Sequence, residues 1–135
     1  MAKRILLVDD DLYIRDVYEE VLLDEGYAVE TAINGEEALV KLREGGYDLI
    51  LLDIMMPKLD GLGVLEGLER NPPQKRNGPI ILLTNLGHDP LTKAARSKGV
   101  NFYLVKADIN PPELIEHVKK ALEEIGQPSA ESSTV

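Results

Sequence analysis

The chain has 135 residues, no cysteine, and 24 acidic against 15 basic side chains, for a net charge of −9. This length allows one domain to bury a full hydrophobic core unaided, and the missing cysteines exclude disulfides, thiolate metal sites and a cysteine nucleophile. The acidic balance disfavours nucleic acid and anionic membranes as direct ligands and suits a cation or a partner with a basic patch. No apolar run approaches the ~18 residues of a membrane span. The apolar stretch Ile5 to Val8 behind Met1-Ala2-Lys3-Arg4 is too short for a signal peptide, so a cytoplasmic location is expected.

In chain order, short apolar runs alternate with segments of helical period. Ile5-Leu6-Leu7-Val8 is followed by Ile14, Tyr18, Val21 and Leu22, which recur at spacings of three and four. Ala28 to Ala32 alternates more and fits an edge strand. Asn34 with Glu37 then resembles a capping box. Leu49 to Leu52, Ile80 to Leu83 and Tyr103 to Val105 continue the series as runs of the kind buried on both faces of a parallel sheet. Asp89-Pro90 and Asn110-Pro111 each set a cap residue before a first-turn proline. Leu114, Val118, Ala121 and Ile125, widened by Ile115 and Leu122, form the last helical stripe. Gly26, Gly45, Gly99 and Gly126 each follow a helical stretch, where a left-handed residue is favoured.

The pattern predicts five βα units, hence a parallel open sheet with helices on both faces, since a closed (β/α)₈ barrel needs ~250 residues. Residues 1–126 are expected to form the domain, with the polar, Ser-rich residues 127–135 a disordered tail. The connection from Arg70 to Pro79 is long for this architecture. It carries three prolines and three basic residues and is read as a solvated loop.

The chemistry gathers where the strands end. The first strong run ends in Asp9-Asp10-Asp11, the third strand in Asp53, the fourth in Thr84 and the fifth in Lys106. In open α/β sheets, ligands bind beyond the carboxyl ends of the strands. Three carboxylates there repel one another: two like charges about 4 Å apart cost about 4 kcal/mol at an effective dielectric near 20. Lys106 can neutralise one charge. A hard divalent cation such as Mg²⁺ can offset two, taking carboxylates, waters and phosphate oxygens as ligands. Zinc does not suit, because no cysteine is present and His88 and His117 are scattered. A carboxylate can also act as a nucleophile toward phosphorus. Asp53, alone at the end of a middle strand, is the best acceptor, and the adjacent Asp9 and Asp10 are better placed to hold metal.

Val8-Asp9-Asp10, the segment Leu52-Asp53-Ile54-Met55-Met56-Pro57 with Asp60-Gly61 following, Thr84 and Lys106 together resemble a response regulator receiver domain. The resemblance runs from residue 3 to about residue 125, with the motifs in family order. It implies a flavodoxin-like α/β/α fold, (βα)₅, with strand order 2-1-3-4-5. It also implies a phosphorylation-activated switch that takes a phosphoryl group onto Asp53 from a phosphohistidine of a sensor kinase or histidine phosphotransfer protein. By the same resemblance Asp10 and Asp53 ligate Mg²⁺ (or Mn²⁺ in its place), Met55 offers its backbone carbonyl, and Asp9 acts through water. Thr84 and Lys106 bind the phosphoryl group, and Tyr103 is the switch aromatic. Thr84 moving toward the new oxygens vacates space for Tyr103 to turn inward. That changes the face formed by the fourth helix, fifth strand and fifth helix, where a downstream protein binds. The expectation is a stand-alone receiver, a monomer or phosphorylation-dependent dimer, that catalyses only its own phosphorylation and slow dephosphorylation. The alternative is a receiver-like interaction scaffold that works without phosphorylation.

Three features depart from the family pattern. Ala107 replaces the proline that usually follows the lysine, so a trans peptide is expected there. Asn85 stands where a small residue is usual, and the Arg70 to Pro79 connection is lengthened. Other phosphate chemistries fit less well. A haloacid-dehalogenase-type phosphatase needs a second aspartate where Met55 stands, a flavodoxin's phosphate would meet three aspartates, and no P-loop glycine motif is present.

Overall fold

The computed structural model describes residues 2–85, 90–98, 100 and 102–125. Its five strands are β1 (Arg4–Val8), β2 (Ala28–Ala32), β3 (Leu49–Asp53), β4 (Ile80–Thr84) and β5 (Phe102–Val105). The helices are α1 (Leu12–Asp24), α2 (Gly35–Glu44), α3 (Gly61–Arg70), α4 (Pro90–Arg96) and α5 (Pro111–Ile125). All strand pairs are parallel, and the order is β2-β1-β3-β4-β5. No described helix is long and apolar enough to cross a membrane.

Strand periodicity divides the core into two layers. Leu6, Val8, Ile50, Leu52 and Leu82 face α2, α3 and α4, meeting Ala38, Leu42, Val64, Leu65 and Ala95. The alternate residues Ile5, Leu7, Leu49, Leu51, Ile81 and Leu83 meet Tyr18 and Leu22 of α1 and Leu114, Val118 and Ala121 of α5. Residues of β1 and β3 are buried toward both layers, which is why these strands are continuously apolar.

β5 differs from its sequence reading. Its run Tyr103 to Val105 suggested burial on both faces, yet every β5 residue is only half-buried. It lies at the edge beside β4, so solvent reaches one flank. β2 is the opposite edge, as its alternation indicated.

The caps agree with the sequence, with one change of partner. The Asn34 side chain accepts from the Glu37 N–H at 2.9 Å, but Glu37 reaches back to Ile33 N–H rather than to that of Asn34. Asn110 and Glu113 form a full reciprocal box at 2.8 and 2.9 Å, in which the sequence had shown only the cap residue. Gly26 and Gly45 have positive φ, as expected. Asp89, Gly99, Gly126 and the tail 127–135 lie outside the described residues.

The long connection before β4 is not a merely solvated loop. Gln74 and Lys75 donate backbone N–H groups to the carbonyls of Arg43 and Glu44, and Asn77 donates its amide to the Leu42 carbonyl. Gly78 N–H bonds the Tyr47 carbonyl. These bonds satisfy carbonyls that the last turn of α2 leaves open. The charged ends of Lys75 and Arg76 stay exposed. Gly45, with φ 79°, pairs with Lys75 across an isolated bridge, and a Cβ there would collide with the Lys75 carbonyl. Gly45→Ala is therefore expected to cost about 2 kcal/mol in urea unfolding, combining backbone strain with the collision. Gly26→Ala, with φ 94° but open space around it, should cost about 1 kcal/mol. Equal losses at the two sites would contradict the role given to the bridge.

Candidate functional site

Register builds the site. Val8 pairs with Leu52, so the next residue of each chain, Asp9 and Asp53, emerges side by side. Thr84 ends β4 one step beyond Leu83, the register partner of Asp53. Val105 pairs with Thr84, which brings Lys106 to the same edge. There the chain makes a 3₁₀ turn over Lys106–Asp108. No cis peptide occurs among the described residues, so the bond to Ala107 is trans, as expected.

Lys106 does more than the single neutralisation expected of it. Its ammonium lies 2.9 Å from Asp9 Oδ2 and 3.1 Å from Asp53 Oδ2, bridging both carboxylates. Asp9 is completely buried and Asp53 is 3% exposed, whereas Asp10 is exposed. The other oxygens are held by local backbone: Asp9 Oδ1 accepts from Asp11 N–H at 3.0 Å, and Asp53 Oδ1 from Met55 N–H at 3.2 Å. Asp11 caps α1 through Ile14 N–H. Arg15 Nη1 donates to the Asp9 carbonyl at 2.8 Å, a support that sequence spacing had not revealed. Gly61, the first residue of α3, bonds the Ile54 carbonyl at 2.9 Å. A Cβ on Gly61 would come within 2.9 Å of the Asp53 carbonyl, so glycine lets α3 start against the end of β3.

Thr84 is buried at the end of β4 and is joined to Thr92 of α4, whose hydroxyl donates to it at 3.1 Å. Tyr103 is half-buried beneath the guanidinium of Arg96, 4.8 Å from the ring centroid. Neither α4 residue had been singled out by sequence. The Met55 side chain and Asn85 are exposed. His117 is exposed on α5, and His88 lies outside the described residues.

Burial and the charge of Asp9 push the Asp53 carboxyl up to about 7, although Lys106 and the Met55 N–H partly offset them. Burial opposes the charge of Lys106, but its contacts with Asp9 and Asp53 outweigh this and hold its pKa above the ordinary lysine value. The site thus remains short of positive charge. The carboxylate oxygens of Asp9, Asp10 and Asp53 lie within 4.8 Å of one another. Asp9 Oδ2 is buried and, despite its ion pair with Lys106, accepts no directional hydrogen bond. An all-oxygen donor set of this kind fits a hard divalent cation such as Mg²⁺.

A carboxyl with a raised folded-state pKa stabilises the fold at low pH, and that contribution is lost as pH rises through its folded value. Without divalent cations, the parent should lose stability between about pH 4 and pH 7. Asp53→Asn should melt a few degrees above the parent at pH 8 in chelator, with the gain shrinking toward pH 5. A gain independent of pH would contradict the electrostatic origin.

The chain matches the response regulator receiver domain family over residues 5–119. It is 39% identical over 126 residues to the transcriptional regulatory protein ResD of Bacillus subtilis, covering 93% of this chain and 50% of that protein. It is 39% identical to a CpxR homolog of Haemophilus influenzae, covering 98% of this chain and 56% of that protein. The chain therefore spans about half the length of these curated relatives. Among solved structures, a CheY-like receiver domain protein of Methanospirillum hungatei superposes with a TM-score of 0.80 at 32% identity, covering 92% of this chain and 96% of that one. The response regulator TrrA of Thermotoga maritima, solved with Mg²⁺ and beryllium fluoride, superposes with a TM-score of 0.70 at 43% identity, covering 88% and 98%. The chain belongs to the response regulator receiver domain family, the phosphorylation-activated switches of two-component signalling.

Proposed function

We propose that Asp53 is the phosphoacceptor. Its carboxylate oxygen attacks the phosphorus of a phosphohistidine on a sensor kinase or histidine phosphotransfer protein. The new O–P bond forms as the N–P bond breaks, and the imidazole leaves with its electron pair. The observation that carries this reading is the single ammonium of Lys106 held against both buried carboxylates, at the edge where the strands end. Asp53 takes the nucleophile's role because it stands alone at the end of the middle strand β3, whereas Asp9 and Asp10 are adjacent after β1 and better placed to hold metal. Lys106 and Thr84 receive the phosphoryl oxygens.

Asp10, Asp53 and the Met55 backbone carbonyl would hold Mg²⁺, with Asp9 acting through water. When bound, it offsets the negative charge that incoming phosphoryl oxygens add. Mn²⁺ substitutes for it. Phosphorylation places about two negative charges at the sheet edge and draws Thr84 toward them, and Tyr103 turns inward. The surface of α4, β5 and α5 then changes its affinity for a downstream protein. The chain is no metabolic enzyme in this reading. It catalyses only its own phosphorylation and slow dephosphorylation, works in the cytoplasm as a domain spanning 1–126, and is a monomer or a phosphorylation-dependent dimer.

Incubation with acetyl phosphate and Mg²⁺, followed by intact-mass measurement, tests this. The parent should gain one phosphoryl group and Asp53→Ala none. No gain in either protein would favour a scaffold that works without phosphorylation. Met55, two residues after the acceptor, has no group to orient a hydrolytic water, and its side chain is 52% exposed. The phosphorylated state should therefore persist well beyond seconds in a pulse experiment, and loss of label within seconds would contradict this.

A further inference from the structure

One face of α4 grips two side chains of the proposed switch. Thr92 and Thr84 are both fully buried, and the Thr92 hydroxyl donates to Thr84 Oγ1 at 3.1 Å. Four residues along the same helix, Arg96 lies over the ring of Tyr103. Residues four apart share one helical face, so α4 touches the end of β4 and the middle of β5 at once. Leu91 and Ala95 seat this helix on the sheet layer that also packs Tyr103.

We propose that Thr92 is a positioning residue that holds Thr84 in the unphosphorylated arrangement, so that phosphoryl capture at Asp53 must break the Thr92–Thr84 contact and is thereby transmitted to α4. This rests on the reading of Thr84 as a phosphoryl ligand. The physical argument is a difference between two states. With Asp53 unmodified, the Thr84 hydroxyl accepts from Thr92 in a dry interior, where such a bond is stronger than in water. With a phosphoryl group on Asp53, Thr84 donates to its oxygens and moves toward β3, away from α4. A contact present in only one of two states biases the equilibrium toward that state. Thr92 therefore weakens phosphoryl binding, and its release couples the reaction to the helix that also holds Tyr103 through Arg96.

The test is the affinity of the full chain for beryllium fluoride in saturating Mg²⁺, followed by amide NMR in the parent, Thr92→Val, Thr92→Ala and Thr92→Ser. Thr92→Val keeps the shape and loses the hydroxyl, Thr92→Ala loses both hydroxyl and methyl, and Thr92→Ser keeps the hydroxyl. The valine and alanine variants should bind about three- to tenfold more tightly, the factor one net hydrogen bond supplies, and serine should match the parent. The Tyr103 amide signal of ligand-free Thr92→Val should move part of the way toward its bound position. Should Thr92→Val fold poorly in a thermal melt, Thr92→Ala carries the comparison. Unchanged or weaker binding in the hydroxyl-free variants overturns the inference and leaves Thr92 a packing residue. A parent that takes up no beryllium fluoride overturns the phosphorylation reading itself, and this inference with it.

Discussion

One ammonium between two buried carboxylates is the constraint from which the rest of the site follows. Lys106 sits 2.9 Å from Asp9 and 3.1 Å from Asp53, and both acids are almost sealed from water. One positive charge cannot balance two buried negative ones with a third, Asp10, beside them. Burial first, and this imbalance with it, pushes the Asp53 carboxyl upward, and the three acids form an all-oxygen cluster suited to a dication. The same imbalance excludes a resting anion: a phosphate entering without accompanying positive charge would meet three carboxylates. An anion reaching this edge would therefore need a cation beside it.

The fold delivers this cluster by register rather than by loops. β1, β3 and β4 are central strands whose side chains pack into two layers, so their ends are fixed to the sheet. Arg15 ties α1 to the Asp9 carbonyl, and Gly61 lets α3 begin against the end of β3. Away from the site, the end of α2 has its own brace, where Gln74, Lys75 and Asn77 bond the carbonyls of Arg43, Glu44 and Leu42. α4 and β5 stand apart from this frame. α4 has seven residues and β5 four, and β5 is an edge strand with every residue half-buried. A short helix on a half-solvated strand has little buried area to resist displacement. In the proposed reading, this is where a charge added at Asp53 is felt.

Much of this was legible in the residues. Continuous apolar runs at Ile5, Leu49 and Ile80 marked the central strands, and the first polar residue after each marked the site, because a buried strand can place polar chemistry only at its end. Asp9, Asp53 and Lys106 were brought together as the spacing required. The β5 run was misjudged because Tyr103 to Val105 looks the same whether one flank faces solvent or protein, and strand order, not local pattern, decides between them. Thr92 and Arg96 were missed because a threonine or arginine on a short helix carries no signal of its own; their importance comes from what stands opposite on β4 and β5. The packing of 71–79 was missed for a similar reason: Gln74, Lys75 and Asn77 look solvated until the carbonyls of Leu42, Arg43 and Glu44 are placed beside them.

The claim at the centre is that a dication and a proton compete for the crowded carboxylates. Calorimetric titration of Mg²⁺ into the intact chain from pH 5 to pH 8, in buffers of different ionisation enthalpy, measures affinity and proton release together. The account predicts an affinity that levels off above about pH 7, falls toward tenfold per pH unit below it, and comes with nearly one proton released at the lower pH. Binding that is flat across this range without proton release, or no uptake of Mg²⁺ at any pH, would contradict it.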